Sequence, residues 1–199
     1  YGHLPPKIVT GAPWNEVALD LVGPWKIKLK TRSKKKTYEF MALTAIDPFS
    51  NLSEIIRINN KTSRHVADQF TNLWLSRYPK PNRCISDNGG EFIGHEFQSL
   101  LANAGITHVK TTVKNPQSNA VCKRMHATMG SMLRTIANSN DAPTNIKEAE
   151  QAVDNALYSC IHALRCSINQ AMRTSPGALV FNRDMMIDVP LLADLDAIR

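Results

Sequence analysis

Two aspartates occupy positions where a carboxylate can do chemistry. Asp20 lies inside the apolar run VALDLV, where an unpaired charge would be costly. Asp87 follows the apolar stretch CIS and opens the sequence DNGGEF, whose adjacent glycines allow a ligand or another backbone to come close. Either aspartate alone is explained as a strand-end residue that caps a loop. Together, in a basic protein, they predict a divalent-metal site facing phosphate, with Mg²⁺ or Mn²⁺ favoured by hard oxygen ligands.

The charge of the chain favours an anionic partner, with nucleic acid the first candidate and an acidic membrane surface the second. The 199 residues carry a formal net charge of +7. Seven of the eleven residues from Lys26 to Lys36 are basic, and no Asp or Glu occurs from Phe97 to Asn140. A solvated face explains one such run, but two acid-free basic stretches favour contact with phosphates.

Composition predicts one folded domain, because 43% of the residues are apolar and 21% are charged. No apolar run is long enough to cross a bilayer, and the chain does not begin with a signal-peptide pattern, so neither a membrane span nor a signal peptide is indicated, and of the two candidates nucleic acid rather than membrane is the expected partner. The cysteines lack the spacing of zinc ligands, which predicts reduced thiols, no zinc site and an intracellular protein. They are Cys84, Cys122, Cys160 and Cys166.

Hydrophobic periodicity predicts a meander of three strands in the first part of the chain. The first strand lies within residues 15 to 30 and is interrupted at Gly23-Pro24. The second and third, residues 38 to 47 and 51 to 58, are joined by the turn sequence DPFS.

Helices then alternate with single strands, which predicts an α/β fold with a mixed sheet. A helix of about 16 residues is expected to be capped by Asn60 or Thr62 and to end near Tyr78. A strand at 81 to 87, a helix at 91 to 104 and a strand at ITHVKTT follow. Two more helices are expected at about 118 to 138 and 145 to 166, the second capped by Thr144.

Four motifs carry a family resemblance. WNEVALDLVGPW surrounds Asp20, ISDNGGEF contains Asp87, NPQSNAVCKRMH spans 115 to 126, and SPGALVFNRD spans 175 to 184. They resemble the catalytic core of retroviral and LTR-retrotransposon integrases, most closely those of gypsy-type elements. The resemblance implies a ribonuclease-H-like fold, with a five-stranded mixed sheet flanked by helices. It also implies DNA integration by polynucleotidyl transfer, in which two Mg²⁺ or Mn²⁺ ions held by three carboxylates serve 3′ end processing and strand transfer.

The same resemblance implies the organisation and partners of the chain. Residues 1 to 12 would be a linker that follows a zinc-binding domain absent from this sequence, 13 to 185 the catalytic core, and 186 to 199 the start of a C-terminal extension. The partners would be element-end DNA, target DNA and further copies of the chain. At least a dimer is expected, through helix faces at 64 to 78 and 147 to 164. In a eukaryotic host the location would be nuclear.

Lys123 stands where the resemblance requires a catalytic glutamate. Asp20 and Asp87 match the first two carboxylates, and the third should follow the second after 35 intervening residues, which places it at 123. A protonated lysine has no lone pair and repels cations, so it cannot replace a carboxylate as a metal ligand. We therefore expect little or no strand transfer. Two alternatives are an ion pair of Lys123 with the aspartates, which would replace the metal, and a lysine that simply faces solvent.

Polar and basic residues around this position predict a DNA-binding segment that can outlast the loss of chemistry. They are Lys114, Asn115, Gln117, Ser118, Asn119, Lys123, Arg124 and His126. For His126, a hydrogen bond to a nearby carbonyl is an equal alternative. Two other functions stay open: a co-opted DNA-binding or scaffolding protein without catalysis, and a nuclease of the same fold that works with two carboxylates.

Overall fold

A computed structural model describes residues 11–30, 37–111, 126–127, 130–131, 143–170, 172–183 and 185. The strands are β1 (Glu16–Lys28), β2 (Thr37–Ile46), β3 (Ser53–Ile58), β4 (Arg83–Ser86) and β5 (Thr107–Lys110). They form one sheet in the order β3-β2-β1-β4-β5. β1, β2 and β3 pair as an antiparallel meander, and β4 and β5 run parallel to β1. The predicted five-stranded mixed sheet is confirmed.

The interruption predicted in the first strand is confirmed at Gly23-Pro24. The pairing of β1 with β2 shifts between Val22 and Trp25, which marks a bulge. Gly23 has a φ of 110°, and a Cβ there would lie 3.0 Å from the carbonyl oxygen of Phe40. Only glycine meets both conditions, so the residue type fixes where the bulge falls.

The helix predicted to end near Tyr78 changes its winding before that point. α1 (Ser63–Phe70) begins after Thr62, whose hydroxyl accepts a hydrogen bond from the His65 N–H at 3.3 Å. It continues as a π-helical segment, Thr71–Leu75. The predicted helix is therefore present from Ser63 to Leu75, with a change from α to π winding that the sequence did not predict. The wider turn accompanies the burial of both Leu73 and Trp74, two successive side chains directed to the core.

The helix predicted at 91 to 104 is two helices, α2 (Gly90–Ile93) and α3 (His95–Ala104), separated by an extended Gly94. The break follows from close packing, because a Cβ on Gly94 would lie 2.4 Å from the Cβ of Ser63. The hydroxyl of Ser63 accepts the Phe97 N–H at 3.1 Å and so serves the start of α3. Gly105 closes α3 in the left-handed conformation, as predicted.

Two helices complete the described part of the chain, α4 (Ile146–Cys166) and α5 (Pro176–Phe181). The N-cap of α4 is Asn145 rather than Thr144, because the Asn145 side chain accepts the Glu148 N–H. Thr144 instead donates to the Glu148 carboxylate. α5 was not predicted. The predicted helix at 118 to 138 lies mostly outside the described residues, and 126–127 and 130–131 within it are helical.

The sheet separates two apolar cores, and the alternation along β1 assigns each residue to one of them. Val17 and Leu19 pack with the α1 and α3 side, whereas Ala18 and Val22 pack with the α4 side. Since side chains alternate along a strand, Asp20 shares the α4 face. None of the described helices combines the length and apolar character needed to cross a membrane.

Candidate metal site

Strand register predicts that Asp20 and Asp87 lie at the same level of the sheet. β1 and β4 are parallel neighbours, and Ala18 pairs with Ile85. Asp20 lies two residues further along β1, and Asp87 lies two residues after Ile85, one past the end of β4. Alternation along extended backbone predicts that both side chains face α4. Neighbouring strands are about 4.8 Å apart, which lets two such carboxylates share a cation. The predicted proximity of the two aspartates is consistent with this register.

Thr44 and His126 lie next to Asp20. Thr44 pairs with Asp20 across β1 and β2, is fully buried, and donates its hydroxyl hydrogen to the Asp20 carbonyl oxygen at 3.0 Å. Nε2 of His126 lies 3.4 Å from that hydroxyl, and Nδ1 lies 3.9 Å from a carboxylate oxygen of Asp20. Because the Thr44 hydrogen is committed to the carbonyl, the hydroxyl accepts from His126, which places the ring proton on Nε2.

The His126 ring is uncharged at neutral pH, because burial lowers its pKa to about 4. The ring therefore belongs to the surroundings of the carboxylate, and its contact with DNA stays a prediction. Thr44 was not among the predicted site residues. The signal was present as a hydroxyl residue within the apolar run FMALTAI, on the strand that pairs with the one carrying Asp20.

Asp87 follows the last residue of β4 and is held by the glycine loop. Its Oδ1 accepts the Gly89 N–H at 2.9 Å. A Cβ on Gly89 would lie 2.9 Å from the Glu91 carboxylate and 3.0 Å from the same Asp87 oxygen, whereas a Cβ on Gly90 would meet nothing within 4 Å. The close approach that the paired glycines predict therefore occurs at Gly89 and not at Gly90.

Alanine substitutions at Gly89 and at Gly90, made one at a time, should show that only Gly89 is in close contact with its surroundings. We expect Gly89→Ala to lower the free energy of unfolding by about 1 kcal/mol, because the new methyl group pushes on two carboxylates. Gly90→Ala, at the first residue of α2, should be neutral or stabilising by about 0.5 kcal/mol, since alanine narrows the unfolded ensemble. Urea denaturation of the two variants measures the difference. Equal stabilities would contradict the assigned contact.

Behind Asp87 the His108 ring bridges two neighbours. Its Nε2 lies 2.8 Å from the Ser86 hydroxyl, and its Nδ1 lies 2.8 Å from Nε2 of Gln98. Burial, with a smaller contribution from the nearby Lys110, lowers the pKa of His108 below its usual 6.5. The structural role predicted for this histidine is consistent with these contacts.

We expect the protein to lose stability as the pH falls below about 6.5. The unfolded chain binds a proton on His108 in that range, and the folded chain resists it because its pKa is lowered. The stabilising contribution is thus complete above about pH 6.5 and declines below it. Urea unfolding at about pH 7.5 and pH 5.5 tests this. A His108→Gln variant should show a flatter pH dependence, and an unchanged slope would contradict the assignment.

The remaining predicted site residues lie outside the described part of the chain. They are Lys114, Asn115, Gln117, Ser118, Asn119, Lys123 and Arg124. Within the described ranges, no three His, Cys, Asp or Glu side chains form a metal-binding group. Asp20 and Asp87 fit part of the donor set of a divalent cation, and the position expected to complete it falls outside those ranges.

The basic segment and the cysteines are described in part. Lys26 pairs with Glu39 at 3.2 Å, both half-exposed or more, whereas residues 31 to 36 lie outside the described ranges. Three of the four cysteines are described, and all are free thiols. Cys84 and Cys160 are buried, and burial raises their pKa values to about 12 and about 11. The prediction of reduced, largely buried thiols is confirmed for these residues.

Comparison with known proteins gives one consistent family. The model of the integrase core domain matches residues 22–116, a range that includes Asp87. A retrovirus-related Pol polyprotein from transposon TNT 1-94 of Nicotiana tabacum is 35% identical over 79 residues, which is 40% of this chain and 6% of that polyprotein. The uncharacterized protein K02A2.6 of Caenorhabditis elegans is 25% identical over 202 residues, covering 95% of this chain and 14% of that protein. The chain thus spans a small part of the relatives it matches.

Solved structures agree on the fold. The HTLV-2 integrase catalytic core domain, in complex with magnesium, superposes with a TM-score of 0.61 at 16% identity, over 84% of this chain and 96% of that one. The BIV integrase catalytic core domain gives 0.60 at 20% identity, over 85% and 95%. The family model, the Pol-related relatives and the fold together support an integrase core of the retroviral and retrotransposon kind.

Proposed function

We propose that this chain is the core of an enzyme of DNA integration, which acts by polynucleotidyl transfer on element ends and target DNA. The observation that supports the proposal is the parallel register of β1 and β4, from which we infer that Asp20 and Asp87 lie level on one face of the sheet. Two carboxylates in that arrangement suit divalent cations that face a phosphodiester. The positive charge of +7 supports a nucleic acid as the substrate.

In this proposal the chain supplies ligands and positioning. Mg²⁺ or Mn²⁺, when bound, would activate the attacking oxygen and stabilise the leaving oxygen. Asp20 and Asp87 would hold the ions, the Gly89 N–H would orient Asp87, and Thr44 would fix the backbone at Asp20. The segment from Lys114 to His126 would contact DNA. The magnesium named with the HTLV-2 core domain supports the choice of metal.

We further propose that Lys123 impairs this activity, because it occupies the third carboxylate position. His126, three residues further along, lies against Asp20 and supports the assignment of this part of the sequence to the metal site. The test is Mg²⁺-dependent strand transfer by the chain and by its Lys123→Glu variant. Adding Asp87→Asn to the Lys123→Glu chain is the control, and it should abolish strand transfer because it removes an expected metal ligand.

Assembly and domain organisation follow the same proposal. Residues 13 to 185 would be the catalytic core, preceded by a linker after a zinc-binding domain and followed by a C-terminal extension. A dimer or larger assembly would form through the faces at 64 to 78 and 147 to 164. The exposed Tyr158 of α4, with 62% of its surface accessible, supports the second face. The dimeric and trimeric HTLV-2 core domains support self-association.

A second candidate function is DNA binding without catalysis, and the specific observation that favours it is Lys123 itself. Adding one positive charge where a carboxylate is expected weakens metal binding but strengthens contact with phosphate. Two results would together support this candidate over an impaired integrase. The chain would bind DNA with the same affinity when a chelator is present, and its Lys123→Glu variant would gain no strand-transfer activity.

A further inference from the structure

A continuous hydrogen-bond chain joins α3, β5 and β4 directly behind Asp87. Nε2 of Gln98 donates to the carbonyl oxygen of Phe92 at 2.6 Å and lies 2.8 Å from Nδ1 of His108. Nε2 of His108 lies 2.8 Å from the Ser86 hydroxyl, which donates to the carbonyl oxygen of Asp87 at 2.9 Å. This series of hydrogen bonds therefore reaches the backbone on both sides of the glycine loop, at Phe92 and at Asp87.

Chemistry fixes the direction of every bond in this chain. The Gln98 nitrogen faces a carbonyl oxygen, so it is the amide NH₂ group, and its second hydrogen points to Nδ1 of His108. Nδ1 must then accept, which places the single proton of the neutral ring on Nε2. The Ser86 hydroxyl accepts that hydrogen and directs its own to Asp87. A protonated or flipped ring would break at least one of these bonds.

Two further contacts immobilise the backbone at this point. The N–H and the hydroxyl of Thr111 both donate to the carbonyl oxygen of Ser86, at 2.8 and 3.1 Å. The Gly89 N–H bonds the Asp87 carboxylate itself. Ser86 is 2% exposed, whereas Asp87 is exposed. The partly buried series of hydrogen bonds therefore holds the peptide groups while the carboxylate stays accessible.

We propose that Ser86, His108 and Gln98 are positioning residues of the metal site, which act through Asp87 and the loop that follows it. This inference rests on the proposed function, because it assigns Asp87 as a metal ligand. Outer groups that orient metal ligands commonly change metal affinity ten- to a hundredfold when they are removed, so about tenfold or more is expected from breaking this chain.

The test uses the full 199-residue chain carrying Lys123→Glu as the parent, with Mn²⁺ binding measured by electron paramagnetic resonance. His108→Phe keeps a ring but removes both of its hydrogen bonds, and Ser86→Ala removes only the hydroxyl. Each should weaken Mn²⁺ binding about tenfold. His108→Gln, which keeps one acceptor and one donor, should recover most of the affinity. His95→Phe, at an exposed histidine at the start of α3, is the matched control and should bind Mn²⁺ like the parent.

Stability and hydrogen exchange separate the possible outcomes. A merely structural role would lower the urea unfolding midpoint and leave the Mn²⁺ affinity of the folded protein unchanged, and that result would overturn the inference. Exchange of the Gly89 amide, measured without metal, should quicken in His108→Phe and in Ser86→Ala, and unchanged exchange would also count against it. Should the parent fail to bind Mn²⁺ while the Gly89 amide still responds, the proposed function fails and the positioning of Asp87 survives.

Discussion

Lys123→Glu is expected to raise Mg²⁺-dependent strand transfer by about a thousandfold or more over the chain as it stands. The substitution replaces a cation with a ligand at the third carboxylate position. A unit charge about 4 Å from another contributes about 4 kcal/mol at an effective dielectric near 20, and each 1.36 kcal/mol is about tenfold in rate. The expected gain follows from this repulsion, before any direct coordination is counted.

Two further substitutions separate the causes. Lys123→Gln removes the positive charge without adding a carboxylate, so it should recover only part of the activity of Lys123→Glu. Asp20→Asn in the Lys123→Glu chain should abolish the gain, because it removes another expected ligand. Strand transfer with a radiolabelled element-end duplex measures all of them. Equal activity of the unsubstituted chain and its Lys123→Glu variant would show that position 123 is not the third carboxylate position. It would also show that Lys123 does not impair activity.

A buried ion pair joins Glu54 of β3 to Arg165 of α4. Glu54 of β3 is 3% exposed, and it accepts hydrogen bonds from Arg165 of α4 and from the hydroxyl of Tyr78. Arg165 also donates to the carbonyl oxygen of Ser53 at 3.3 Å. Burial and the bond to Glu54 raise the pKa of Tyr78 to about 12, so its hydroxyl remains a donor.

Glu54→Gln is expected to lower the free energy of unfolding by about 3 kcal/mol, because it leaves the Arg165 charge without its partner in a poorly solvated place. The Arg165 side chain keeps 19% of its surface exposed, which argues for the lower end of the usual range. Urea denaturation measures the change. Glu39→Gln breaks the exposed pair with Lys26 and should cost less than about 1 kcal/mol.

A double substitution tests whether the loss comes from the unpaired charge. Glu54→Gln combined with Arg165→Met removes both charges, so its cost should be smaller than the sum of the two single costs. A Glu54→Gln loss no greater than that of Glu39→Gln would show that the pair contributes little to stability.

Local sequence predicted the elements whose signals are local. Alternation of apolar and polar residues located the three meander strands, and Thr62 and Gly105 marked helix ends where the structure has them. The helix break at Gly94 was missed, because it depends on contact with Ser63, which lies 31 positions earlier. Thr144 was preferred to Asn145 because neighbouring residues with similar capping chemistry cannot be ranked without the backbone.

The sequence by itself determined the residue types of the site: a carboxylate at Asp20, a carboxylate at Asp87, and a lysine at the third expected position. Only the tertiary structure decided that β1, which carries Asp20, and β4, which Asp87 follows, are parallel neighbours. The tertiary structure also brought Thr44 and His126 to Asp20, and His108 to Ser86. The type of each residue fixes the chemistry of its side chain, whereas strand register is set by packing between segments far apart in the chain.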